Sequence, residues 1–309
     1  MYDYNTLCNN FLQYKKYLGY KYRTDTFVIK RIRKYLIYNK IEKITKEVTE
    51  DFARLNKNLD SNTIARNMGV FREFCLYLKA QNVDCYQIPH IIYPQKHRKF
   101  VPYIFSHNQI AEMYKNFDKV NTHSDYFKNA CPLIIKLLYQ TGIRIGELLN
   151  IDVEDYNENE KYFILKNTKN GEERLIMLSD KLNNELSIFN NKYNYNKHST
   201  EKFFRLSSSS INKYFHELLY ISNIERNENT PRIHDFRHTF VVHNFEKASK
   251  EGKDINLILP VLKTHLGHKS TEALLYYFHL TNNILNDINE ISENNLSYLI
   301  PDVEVCTDE

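Results

Sequence analysis

The sequence predicts a mainly α chain with one small β-sheet, divided into two domains. Apolar residues recur at steps of three and four through most of the chain, the spacing of one face of a helix. A single pair of short apolar runs flanks an Asn-Gly turn, the signature of a hairpin. The length of 309 residues exceeds one typical domain, and a proline-rich, basic stretch near residues 88–106 is placed to divide it. The expected organisation is a helical domain at 1–88, a linker at 89–106, a second domain at 107–300 and an acidic tail at 301–309.

In the first domain, Leu7, Phe11, Tyr14 and Leu18 fall on one face of a helix within residues 5–20. Thr24 to Tyr38 follows, with Phe27, Ile29, Ile32 and Leu36 between Lys30, Arg31, Arg33 and Lys34, an amphipathic helix with a cationic outer face. After a turn near Glu42 to Thr45, a short helix is expected over Thr49 to Leu55. Asp60 or Ser61 then caps a longer helix, whose buried stripe is Ile64, Met68, Phe71, Cys75 and Leu78. Arg66, Arg72 and Lys79 lie off that stripe and are available to a polyanion. In the linker, three prolines forbid a continuous helix, and Lys96, His97, Arg98 and Lys99 make a basic cluster that could follow a phosphate backbone or merely be solvated.

The second domain begins with helices at Ile110 to Phe117 and Ala130 to Tyr139. Gly142 then permits a tight turn, and Arg144 stands between two helical segments among apolar neighbours, a costly place for a permanent charge without a partner. An ion pair with Glu147 is the plainer role for it. The hairpin pairs Tyr162–Leu165 with Arg174–Leu178, and Lys169 stands at its tip. Further helices are expected at Asp180 to Asn190, Ser210 to Ile224, from Asp235 onward, and at Ile255 to Thr264 with Pro260 as a kink.

Charge is unevenly divided. Residues 1–100 hold 19 Lys and Arg against 9 Asp and Glu, a net of +10; the rest hold 23 against 29, a net of −6. A cationic first third suits the neutralisation of phosphates, although a solvated basic surface would look the same. The five cysteines show neither a C-x-x-C pair nor zinc-finger spacing and read as reduced thiols. With no apolar run long enough to span a bilayer and no signal-peptide layout at the N-terminus, a soluble cytoplasmic protein without membrane contact is expected.

The stretch from His234 to Tyr277 concentrates chemistry. His234 and Arg237 in HDFRHTF are one helical turn apart and can reach one ligand. Gly267 in LGHKS is placed to end a helix and turn His268 inward, and Tyr277 follows nine residues later. Such a set suits a small anion. His265 competes with His268, whereas Tyr276, beside Tyr277, reads as a core residue.

TGIRIGEL, the hairpin-tip lysine, HDFRHTF, LGHKS and that tyrosine closely resemble the tyrosine recombinase, or phage integrase, family over about residues 130–280. The basic N-terminal helices resemble that family's core-binding domain in character only. The resemblance implies a helical core-binding domain and a catalytic domain forming a clamp around DNA, with Arg144, Lys169, His234, Arg237, His268 and Tyr277 as catalytic residues. It also implies site-specific recombination sites in double-stranded DNA, a homo-tetramer acting through a four-way junction, and accessory DNA-bending proteins as further partners. No cofactor and no metal are expected.

The residue types fit such chemistry. Charge builds on the nonbridging oxygens of a phosphodiester under attack, and two always-protonated, forked arginines, Arg144 and Arg237, suit its stabilisation without a metal. His268 would add a hydrogen bond. A tyrosine is ionised in only about one molecule per thousand at neutral pH, so Tyr277 needs His234, or a phosphate oxygen, to take its proton. Lys169, or Lys166 three residues before it, would protonate the leaving 5′ oxygen. By resemblance the product is a 3′-phosphotyrosyl enzyme. Glu172 and Glu173 make the hairpin turn more acidic than in many relatives, and Ile284 to Ile300 is an amphipathic segment suited to a neighbouring subunit. Integration or excision of a mobile element is the first reading and chromosome-dimer resolution the second. A type IB topoisomerase and a catalytically inactive DNA-binding regulator are the rivals from other classes.

Overall fold

The structure, a computed structural model, describes residues 2–267 except 21, 56–57, 91–100, 123, 167–172, 196–197 and 225–229. The expected positions of Lys169, His268 and Tyr277, the basic linker cluster, the segment Ile284 to Ile300 and the acidic tail lie outside the described residues. Contacts divide the chain into two compact units, Met1–Lys99 and Phe100–Glu309.

The first unit packs α1 (Tyr4–Tyr17), α2 (Arg23–Tyr38), α3 (Lys46–Arg54) and α4 (Ser61–Ala80). Phe11, Ile29, Ile32, Leu36, Phe71 and Phe74 are fully buried at its centre, and Phe11 meets Phe74 edge to face at 5.4 Å. Asp60 caps α4 by accepting the Asn62 N–H. Helix α3 starts three residues before the expected Thr49, because the Thr45 side chain accepts the Val48 N–H and satisfies the first turn.

Two of the arginines proposed to face a polyanion are already engaged within this unit. Arg66 pairs with Asp25 at 2.6 Å, and Arg72 donates to the carbonyls of Ile88 at 3.0 Å and Pro89 at 3.3 Å. Arg72 thereby fastens the end of the unit to α4.

The second unit is built on α5 (His107–Lys115), α6 (Asp125–Thr141), the short α7 (Ile145–Leu148), α8 (Asp180–Tyr193), α9 (Ser208–Ile221), α10 (Asp235–Lys250) and α11 (Ile255–Leu266). The hairpin forms as β2 (Tyr162–Leu165) and β3 (Arg174–Met177), with Leu165 opposite Arg174. A two-residue strand β1 (Tyr156–Asn157) adds an antiparallel third member in the order β1-β2-β3. Phe163, Leu165 and Ile176 turn into a core shared with Ile134, Ile135 and Leu138 of α6. Phe105, just ahead of α5, is fully buried in this core and stacks on Phe236 at 4.9 Å. Its backbone N–H donates to the Thr239 hydroxyl, which fastens the segment leading into α5 to α10.

Two glycines shape the ends of α6 and α11. Gly142 has φ 62°, and a Cβ there would lie 2.6 Å from a Phe240 ring carbon and 2.9 Å from Leu266. Gly267 has φ 64° and closes α11 as expected. Pro260 sits inside α11.

Candidate active site

Arg144 stands at the N-terminus of α7, where the chain leaves Gly142. The Glu147 carboxylate accepts its backbone N–H at 3.3 Å and its Nη1 at 2.7 Å. The plainer role for Arg144 is therefore present, but it takes up one edge of the guanidinium and leaves the side chain 32% exposed. Glu147 Oε2, which takes the Arg144 backbone N–H, also accepts from Arg174 Nη2 at 2.7 Å. Burial raises the Glu147 pKa, but the hydrogen bonds and charges of Arg174 and then Arg144 outweigh it, so the carboxyl lies below its ordinary range.

Arg237 is 3% exposed. Its Nη1 donates to the Gly142 carbonyl at 2.8 Å and its Nη2 to the Leu266 carbonyl at 2.7 Å. Both acceptors are helix C-terminal carbonyls, partly negative groups left without a partner inside their own helices. One side chain thus ties the end of α6, the end of α11 and the first turn of α10.

Arg174 was missed by sequence reasoning. Beyond Glu147, its Nε donates to the His265 carbonyl at 2.8 Å, and a Cβ at Gly267 would lie 3.0 Å from its Nη1. Arginine in an exposed-looking hairpin strand carries no periodic signal; its one local trace is the tight approach of its guanidinium to Gly267, whose φ of 64° already favours glycine.

His234 is the residue before α10, with its ring 4.8 Å from that of His238 and perpendicular to it. The ring reaches solvent, yet its pKa is lowered, first by the protein packed around it and then by the positive charges of Arg237 and Arg144. Three of the six expected residues, Arg144, His234 and Arg237, are thereby brought into electrostatic reach of one another. His238 is buried, with Nε2 3.8 Å from Asp235, and Asp235 is itself held by Arg232 at 3.1 Å.

Two rivals for site roles are engaged elsewhere. The His265 ring nitrogen Nε2 lies 2.8 Å from the Thr141 carbonyl, and the ring stacks on Phe240. Lys166 pairs with Asp155 at 2.6 Å and Glu154 at 3.0 Å, and those carboxylates raise its pKa further above the ordinary lysine range. A lysine held that way is a weaker acid than a free one.

A model of the phage integrase family matches residues 104–283, more than half of the chain. The chain belongs to the phage integrase family. Tyrosine recombinase XerA of Saccharolobus solfataricus is 32% identical over 165 residues, covering 52% of this chain and 50% of that protein. The chain thus spans about half the length of that relative. The XerH site-specific recombinase, solved bound to difH substrate in a pre-cleavage complex, superposes with a TM-score of 0.61 at 17% identity, covering 82% of this chain and 75% of that one. A lambda integrase tetramer bound to a Holliday junction superposes with a TM-score of 0.60 at 14% identity, covering 86% and 77%. At these identities the likeness is one of fold, and it accords with the mainly helical chain and small sheet expected from sequence.

Proposed function

We propose that this family member is a site-specific DNA recombinase, cutting and rejoining strands through a 3′-phosphotyrosyl intermediate, and that it integrates or excises a mobile element. The observation that carries the reading is the junction at Arg237. That side chain draws together TGIR, HDFRH and THLG, segments separated by 95 and 29 residues, with Arg144 and His234 beside it. Fixed guanidinium groups around one point are what a phosphodiester needs as charge builds on its nonbridging oxygens.

In this mechanism Arg144 and Arg237 hold the scissile phosphate and His268 adds a hydrogen bond. Tyr277 attacks phosphorus as His234, kept neutral by its surroundings, takes the phenol proton. The P–O5′ bond breaks, the tyrosyl–phosphorus bond forms, and Lys169 protonates the departing 5′ oxygen. The bond count is unchanged, so attack by a new 5′ hydroxyl reverses the step without ATP. No metal enters any step.

The helical residues 1–88 serve as core-binding domain, 89–106 as linker and 107–300 as catalytic domain, closing as a clamp on double-stranded DNA in a homo-tetramer. The cationic first hundred residues support the grip. Work on chromosomal or plasmid DNA places the protein in the cytoplasm; among the described residues no helix is long and apolar enough to cross a membrane.

The test is incubation with nicked duplexes tiled from the DNA flanking its gene and from elsewhere in the host chromosome. A detergent-resistant adduct on a defined site, leaving a free 5′ hydroxyl, is expected. Absence of any adduct contradicts the enzymatic reading, and relaxation of supercoiled plasmid without site preference favours a topoisomerase.

A further inference from the structure

On the side of α10 away from its catalytic first turn, three potential metal ligands meet. His107 opens α5, and His243 and Glu246 lie three residues apart on α10, so the last two share a face. One ligand atom from each lies within 4.8 Å of the others. His107 Nε2 is 3.4 Å from a Glu246 oxygen, and the two imidazoles stack at 3.8 Å with their planes 26° apart. They edge an open depression of about 510 Å³.

We propose that His107, His243 and Glu246 form a binding site for a divalent first-row transition cation of the zinc type, which fastens the start of α5 to α10. Two imidazoles and a carboxylate are a donor set that zinc accepts, with water in the fourth position. Tetrahedral bonds of about 2.0–2.1 Å set ligand atoms roughly 3.4 Å apart, close to the His107–Glu246 separation already present. The remaining adjustment falls to His107, whose side chain is 62% exposed at the first position of its helix.

The surroundings of His243 are those of a ligand. The Tyr139 hydroxyl lies 3.0 Å from Nδ1, and the Phe105 backbone hydrogen-bonds to the ring. Partners of this kind orient the imidazole, as supporting hydrogen bonds do for metal-bound histidines.

The cation would stiffen the helix that carries Arg237. His243 follows Arg237 by six residues, roughly 9 Å along the axis, and Phe105, which meets the His243 ring, also anchors to Thr239. The role is structural and separate from the phosphate chemistry.

The test strips the full-length protein with a chelator and titrates Zn²⁺ against a chromogenic competitor, with thermal denaturation in parallel. Wild type should take up one equivalent at this site and melt at higher temperature with Zn²⁺. His107→Ala and Glu246→Gln should each weaken that uptake by at least about 100-fold, since losing a mere supporting partner costs about 10–100-fold. Without metal, His107→Ala should melt like wild type, which separates lost binding from misfolding. Co²⁺ in place of Zn²⁺ should give a visible ligand-field band that His107→Ala lacks. No uptake by wild type, or equal uptake and equal Zn²⁺-dependent melting in wild type and His107→Ala, overturns the proposal.

Discussion

The Arg237 guanidinium donates to the Gly142 carbonyl at 2.8 Å, joining residues 95 apart in sequence. The same group reaches Leu266. The residue read from sequence as a phosphate ligand thus fastens the ends of α6 and α11 to α10.

Arg237→Lys tests this double role. An ammonium is a point charge and cannot span two carbonyls in the plane of a guanidinium. Loss of one charged, buried hydrogen bond should lower stability by about 2–3 kcal/mol, and cleavage should fall by at least about 100-fold. Urea denaturation and single-turnover cleavage measure the two. A lysine variant with wild-type stability would remove the fastening role.

Gly142 and Gly252 have nearly equal positive φ, 62° and 63°, but only Gly142 is crowded, by Phe240 and Leu266. Alanine at either position should cost about 1–2 kcal/mol for the left-handed backbone. Gly142→Ala should cost a further 1–3 kcal/mol or so, because Phe240 must move. Equal losses for the two variants would mean that the close approach at Gly142 is not enforced.

The lowered pKa of His234 fixes the sign of a pH effect. With its folded value below the ordinary 6.5, the ring remains a neutral base at pH 6.5 and loses that capacity only in more acidic solution. The acid limb of the cleavage rate should therefore lie below pH 6.5. His234→Asn should abolish that limb and slow cleavage at neutral pH by about 10²–10⁴. Stability shifts in the same sense, since protonation favours the unfolded chain as pH drops through this window. An acid limb above 6.5, or one that survives in the asparagine variant, contradicts the assignment.

Lys166 and Lys169 separate by leaving group. Lys166 is held by Asp155 and Glu154, so Lys166→Ala should leave single-turnover cleavage within about threefold of wild type, whereas loss of a general acid costs about 10²–10⁴. Lys169→Ala should show that larger loss and recover on a 5′-thio substrate, whose leaving group needs no proton. Recovery of Lys166→Ala instead would reverse the roles.

What the sequence made legible was what local chemistry dictates. The hairpin follows from two short apolar runs around Asn-Gly, and Gly142 and Gly267 end their helices where a left-handed residue is required. β1 was out of reach because two residues cannot show a period. Arg174 was missed because its partners, Glu147 and the His265 carbonyl, lie 27 and 91 residues away. Arg66 and Arg72 looked available to DNA because charge composition is blind to neighbours such as Asp25 and the Ile88 carbonyl. Of the expected site, Arg144, His234 and Arg237 come together, while Lys169, His268 and Tyr277 rest on the motifs that carry them.

The central claim is covalent attack by one tyrosine among 24. Digesting the trapped adduct and identifying the peptide that carries the nucleotide by mass spectrometry tests it most directly. The account predicts the phosphoester on Tyr277 and no adduct from Tyr277→Phe; attachment at Tyr276 or any other residue, or an undiminished adduct from Tyr277→Phe, would contradict it.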